Sequence, residues 1–193
     1  MSKGEKRPLS EAMKTAQHII GVLGDYCQRI EIAGSLRRER PLIGDIEIVA
    51  IPKYEKDLFG IPDMSRNELK HFLIQTGTKM TKCGDKYIQF TYGGWNVDLF
   101  MPNPTTWGSV FTIRTGSHEF NMWLMTVRSQ SVGVQFADGI LFDRYTRDII
   151  PTPEEADVFA ALHMDFVPPN MRDDNRWHKY IHAKEASQTS ESK

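Results

Sequence analysis

Apolar positions along the first half of the chain recur with two different periods. In residues 10–27, "SEAMKTAQHIIGVLGDYC", Met13, Ala16, Ile20 and Leu23 fall at helical spacing behind Ser10, a residue suited to cap a helix. "RIEIA" (29–33) then alternates like a strand and stops at Gly34, "SLRRER" makes a short helical turn closed by Pro41, and "DIEIVAIP" (45–52) is the next strand. Residues 65–76 return to the helical period, with Ser65 and Glu68 in capping-box register. "YIQFTY" and "WNVDLFM" alternate on either side of Gly93-Gly94, the signature of a hairpin.

The pattern continues with a helix in "TWGSVFTIRT" capped by Thr105 or Thr106, and another from Ser117 to about Arg128. "VGVQFADGILFDRYTRDIIP" reads as short strands turning at Asp138-Gly139 and near Tyr145-Thr146. "TPEEADVFAALH" is a helix with Thr152 as its cap, and "FVPPNMR" an extended exit. The order of elements predicts an α+β chain: a flexible N-terminus (1–9), a first domain (10–104), a smaller α+β subdomain (105–172), and a polar, disordered tail (173–193).

One strand breaks the apolar rule. Asp45 and Glu47 project to the same side of "DIEIVAIP", because strand side chains alternate. Asp98 occupies the matching position in "WNVDLFM", between Val97 and Leu99. Burying like charges together unpaired costs several kcal/mol, so a cation is the expected complement. Hard divalent ions such as Mg²⁺ prefer oxygen ligands. Two ions bridged by shared carboxylates stabilise both oxygens of a phosphoryl displacement. The Gly34-Ser35 turn, followed by Arg37 and Arg38, offers backbone N–H groups, a hydroxyl and guanidinium groups to a phosphate.

Composition narrows the class. The 193 residues are 40% hydrophobic and 25% charged with a net charge of −1, which is globular and excludes a histone-like electrostatic binder. No apolar run reaches the roughly 20 residues that span a bilayer, and the basic N-terminus lacks the apolar core of a secretory signal. Cys27 and Cys83 lie outside any metal-ligand spacing and are expected as reduced thiols in a cytosolic protein. His118, His163, His178 and His182 form no metal-like spacing, and Trp95, Trp107 and Trp123 are expected to pack rather than stack on bases.

"GSLRRERPLIGDIEIV" resembles the nucleotidyltransferase signature of the family X DNA polymerases, the group of DNA polymerase beta. "WGSVFTIRTGSHEFNMWL" is similar to that family's palm-to-thumb segment, and "GILFDRYTRDIIPTPEEADVFAALHMDFVPPNMR" to its thumb, ending in Pro-Pro-x-x-Arg; the likeness runs from about residue 10 to 172. The resemblance implies a nucleotidyltransferase palm with a mixed sheet, a small α+β thumb, and a DNA-directed polymerase that adds dNTPs to a primer 3′-hydroxyl. It makes Asp45, Glu47 and Asp98 catalytic carboxylates and ligands of two Mg²⁺ ions. Gly34, Ser35, Arg38, Gly44, Gly116, Ser117 and Asn121 become nucleotide contacts, and Arg114, Arg128 and Lys86 DNA contacts. Primer-template or gapped DNA and dNTP are the implied partners of a monomer with no membrane association. The implied setting is the cytoplasm of a bacterium or virus-infected cell, with short-gap filling in DNA repair as the task.

Three departures from the family pattern sharpen the expectation. Glu47 stands where the family has Asp, displacing the carboxylate by about 1 Å or more and favouring altered metal preference, including Mn²⁺. Ile113-Arg114 replaces an aromatic pair that helps reject ribonucleotides. The family's lyase domain and helix-hairpin-helix region have no counterpart, so no lyase chemistry is expected. Two other classes stay open: a template-independent or small-molecule nucleotidyltransferase, and a catalytically weak DNA-binding accessory protein.

Overall fold

The structure, a computed structural model, describes residues 5–182. It divides into two compact units, one ending at Asn103 and one beginning at Pro104. The first is built on a five-stranded sheet. Its strands are β2 (Cys27–Ile32), β4 (Ile46–Pro52), β7 (Met80–Cys83), β8 (Tyr87–Tyr92) and β9 (Trp95–Phe100), in the order β2-β4-β9-β8-β7. The β4–β9 pair is parallel and the others antiparallel, which makes the sheet mixed. Gly93 and Gly94 both have positive φ and close the two-residue β8–β9 turn, with Tyr92 opposite Trp95.

One face of this sheet is the core. Ile46 and Ile48 of β4, Val97 and Leu99 of β9, and Ile88 and Phe90 of β8 pack with α1 (Leu9–Leu23) and α3 (Glu68–Gln75). The buried stripe of α1 is Ala12, Ala16, Ile19 and Leu23. Met13 and Ile20, expected at its centre, lie at its half-buried edge. Nor does Ser10 cap the helix. Arg7–Pro8 forms β1, paired with β3 (Leu42–Ile43), and Leu9 donates its N–H to Pro41 O, so α1 starts directly from a strand. Residues 7–9 are therefore held rather than flexible.

α3 corrects a second expectation. Ser65 belongs to β6 (Pro62–Asn67), which pairs with β5 (Tyr54–Lys56), and its hydroxyl is bound to Asp63. The cap is Asn67, whose side chain accepts from the Lys70 N–H at 2.9 Å.

In the second unit, α4 (Trp107–Thr115), α5 (His118–Trp123), a π-helical turn (Leu124–Arg128) and α6 (Ser129–Ser131) follow in succession. A three-stranded antiparallel sheet comes next, of β10 (Val134–Ala137), β11 (Ile140–Asp143) and β12 (Ile149–Ile150), and then α7 (Glu155–Ala161). Glu154, not Thr152, caps α7, in a capping box with Asp157. Thr152 is instead buried, its carbonyl and hydroxyl accepting from the N–H groups of Gly108 and Ser109. A side chain at Gly108 would collide with Thr152 O and the Glu154 backbone, so α4 can approach this segment only with glycine there.

The chain does not turn polar and loose at Asp173. Trp177, in a short 3₁₀ turn (Trp177–Tyr180), is 6% exposed within the core of the second unit, and Ile181 bridges to Met164. The rest of the expected tail, 183–193, lies outside the described residues, as do residues 1–4.

Candidate active site

Glu47 and Asp98 are direct neighbours across the parallel β4–β9 ladder. Both project from the sheet face opposite the core and are half-buried. Farther along β4 that face closes over, where Val49 and Ile51 are buried, so the carboxylates occupy its open end. Asp45 precedes β4 and is exposed. The desolvation penalty expected for a buried acidic strand is thus smaller than the sequence implied.

Asp98 is held from the neighbouring strand β8. Its Oδ1 accepts from the Tyr87 hydroxyl at 2.5 Å and from Gln89 Nε2 at 2.8 Å. Gln89 lies opposite Asp98 in the antiparallel β8–β9 register, and Tyr87 two residues along stacks on Phe100 with ring centroids 5.0 Å apart. The Lys82 ammonium stands 5.3 Å from the Tyr87 ring centroid. Oδ2 of Asp98 accepts no hydrogen bond from the described residues. A carboxylate with one oxygen fixed and the other available is suited to ligate a cation.

Gly34 closes the other side of Glu47. It opens α2 (Gly34–Arg37) at φ +64°, and a Cβ there would fall 2.9 Å from the Glu47 carboxyl carbon. Ala33 donates its N–H to Glu47 O at 2.8 Å, tying the turn to β4. Ser35 and Arg38 are half-buried on this turn, and Gly44 immediately precedes Asp45. The donor set is all oxygen, which suits Mg²⁺ or Mn²⁺. Among the described residues, however, no three His, Cys, Asp or Glu side chains converge closely enough to hold an ion. Glu47 and Asp98, neighbours on one sheet face, fit a hard cation as a pair.

The second unit carries the remaining candidates. Gly116 ends α4 at φ +67°, through a cis peptide to Ser117. Ser117 caps α5, accepting from the Phe120 N–H, and donates its hydroxyl to Arg172 O at 2.8 Å. Asn121 Nδ2 donates to Ile113 O at 2.7 Å, while its buried Oδ1 has no partner among the described residues. Arg114 and, in the first unit, Lys86 are exposed.

Arg128 does not reach a surface. It is 5% exposed, and its guanidinium donates to the carbonyls of Leu162 and His163 and to the Ser131 hydroxyl. These bonds tie it to the end of α7. Arg172, the last residue of Pro-Pro-x-x-Arg, is also fully buried. It pairs with Glu155 at 2.9 Å, donates from Nε to Val167 O at 3.0 Å, and lies over the rings of Phe120 and Phe159, each centroid 5.3 Å away.

This ring-and-arginine arrangement falls inside a recognisable region. Residues 111–173 match the family model described as DNA polymerase beta thumb. This segment, about a third of the chain, is similar to the thumb of the family X polymerases. A polymerase thumb implies DNA binding. No curated protein matches the chain. Among the described residues no helix is long and apolar enough to cross a membrane. Trp95 and Trp107 are buried as expected, and neither cysteine is in a disulfide.

Sequence reasoning missed Tyr87 and Gln89. The signal was present, because a two-residue turn at Gly93-Gly94 fixes the register that sets Gln89 opposite Asp98.

Proposed function

We propose that this chain is a DNA-directed DNA polymerase that extends a primer 3′-hydroxyl with dNTPs and fills short gaps. The observation that carries the reading is the pairing of Glu47 with Asp98 on the open end of a mixed sheet, in a chain that also bears a polymerase beta thumb. Asp98 is the base-like carboxylate beside the primer hydroxyl, kept in one orientation by Tyr87 and Gln89. Glu47 and Asp98, with Asp45, would hold two Mg²⁺ ions. When bound, these lower the charge on the 3′-oxygen and on the triphosphate.

Ser35 and Arg38 are the proposed triphosphate contacts, with Gly34 and Gly44 allowing close backbone approach. In the second unit, Gly116, Ser117 and Asn121 are the proposed contacts to sugar and base. Asn121 has a buried acceptor still without a donor. Lys86 and Arg114 are the proposed DNA contacts. Binding through few phosphate contacts makes the enzyme distributive.

Primer extension tests the reading. Templated one-nucleotide gaps, single strands, dNTPs and rNTPs are compared in Mg²⁺ and Mn²⁺, with Asp98→Ala as control. Template-directed dNTP addition that disappears in Asp98→Ala is expected. Extension unchanged in Asp98→Ala would refute the reading, and addition that ignores the template base would make the enzyme a terminal transferase. A second reading, a catalytically weak DNA-binding accessory protein, is favoured by Glu47 standing where the family has Asp. It requires gapped-DNA binding with no extension in either metal.

A further inference from the structure

The match to the polymerase thumb ends at residue 173, yet the core of the second unit does not. Trp177 enters that core from the following segment. Its ring meets Phe120 edge-on at 5.4 Å and Trp123 at 5.6 Å. These two rings belong to α5 and lie on either side of Asn121 in sequence. α5 has only six residues and passes directly into a π-helical turn, so its backbone bonding alone gives little rigidity.

Arg172 braces the start of α5, with its carbonyl on the Ser117 hydroxyl and its guanidinium over Phe120. Trp177 supplies a contact that extends to the helix's far end, at Trp123. Asp165 N–H to Tyr180 O at 2.8 Å and the Met164–Ile181 bridge hold the segment carrying it in place.

We infer that Trp177 is a positioning residue for α5: the segment after the thumb fixes the orientation in which Ser117 and Asn121 meet their ligand. The ligand effect rests on the polymerase reading above, whereas the bracing of the helix does not. Trp177 therefore acts on nucleotide affinity through Phe120 and Trp123 without touching the nucleotide.

Three variants of the full chain separate this from ordinary core stability. Trp177→Ala removes the ring, Trp177→Phe keeps one, and Leu141→Ala opens the same core from β11. Below the unfolding temperature of all three, amide exchange in residues 119–124 should quicken about five- to tenfold in Trp177→Ala relative to β10 and β11, the size of one lost aromatic pair. The dNTP KM should rise by a similar factor, with kcat within about threefold. Trp177→Phe should restore both, and Leu141→Ala should move neither selectively. Equal effects in Trp177→Ala and Leu141→Ala, or α5 exchange unchanged in Trp177→Ala, would overturn the inference. If Trp177→Ala does not fold, Trp177→Leu takes its place with the same expectations. If the wild type extends no primer, the polymerase reading fails alone, and the exchange data still decide whether Trp177 braces α5.

Discussion

Tyr87 donates its hydroxyl proton to Asp98 Oδ1 across 2.5 Å, from the strand next to β9. The phenol is stacked on Phe100, so its direction is set by packing as well as by the hydrogen bond. A carboxylate held this way presents its other oxygen in a fixed direction. Tyr87→Phe leaves the stack and removes only the hydrogen bond. On the proposed polymerase reading, primer extension should fall about tenfold and need more Mg²⁺ for half-maximal rate, the effect of removing a partner from a metal-binding carboxylate. Unfolding free energy should change by only about 1 kcal/mol. Titration of extension rate against Mg²⁺ checks this, and an unchanged Mg²⁺ midpoint would remove Tyr87 from the site.

How this site could be read from sequence alone differs from residue to residue. Asp98 was visible as a lone acid in an alternating strand, whereas its partner Gln89 was missed although the length of the turn fixes their register. The parallel pairing of Glu47 with Asp98 was not visible, because it joins strands separated by β5, β6, α3, β7 and β8. The burial of Arg128 was hidden for a related reason. An arginine is buried when remote carbonyls converge on it, here Leu162 and His163, and no local pattern announces that. Trp177 was hidden by composition: one aromatic anchor among polar neighbours is enough to dock a segment, but it does not change the average.

Gly34 and Glu47 form a coupled pair. Alanine at 34 would have to hold a left-handed φ of +64° and push into the Glu47 carboxylate. The backbone penalty alone is about 1–2 kcal/mol. Gly34→Ala should therefore lower stability by at least that amount and reduce extension more strongly than it reduces Tm. In Gly34→Ala/Glu47→Asp the shorter side chain withdraws from the new methyl, so part of the loss should return. A double-mutant cycle by chemical denaturation measures the coupling, and strict additivity would show that the two groups do not meet.

The Arg172–Glu155 pair is buried in the second unit, with side-chain exposures of 0% and 8%. Thr112 donates its hydroxyl to the same Glu155 oxygen at 3.3 Å. Arg172→Ala leaves a buried carboxylate without its cation and should cost about 3–5 kcal/mol. Arg172→Met/Glu155→Gln removes both charges and keeps most of the volume, so much of that stability should return. Urea unfolding followed by tryptophan fluorescence checks the order. A double variant less stable than Arg172→Ala would mean the ion pair is a net stabiliser in its own right.

Cys27 sets an alkaline limit on the first unit. It lies at the start of β2 with 6% exposure, and burial pushes its thiol from an ordinary 9.0 up to about 12, with Lys53 opposing weakly. The neutral thiol is favoured in the folded chain, so the unfolded chain releases its proton first as pH rises. Stability from this group is complete below about pH 9 and is lost progressively as pH climbs toward 12, by up to about 1.4 kcal/mol per pH unit. Burial also raises the Tyr54 hydroxyl, and Asp85 adds to it, which acts in the same direction. The informative quantity is therefore the difference between wild type and Cys27→Ala. Denaturation from pH 8 to 11 should show the wild type losing stability more steeply than the variant, with parallel curves below pH 9. At pH 8 a thiol reagent should modify the exposed Cys83 quickly and Cys27 only on unfolding. Equal slopes above pH 9, or two fast-reacting thiols in the native protein, would show that Cys27 is not shielded from water.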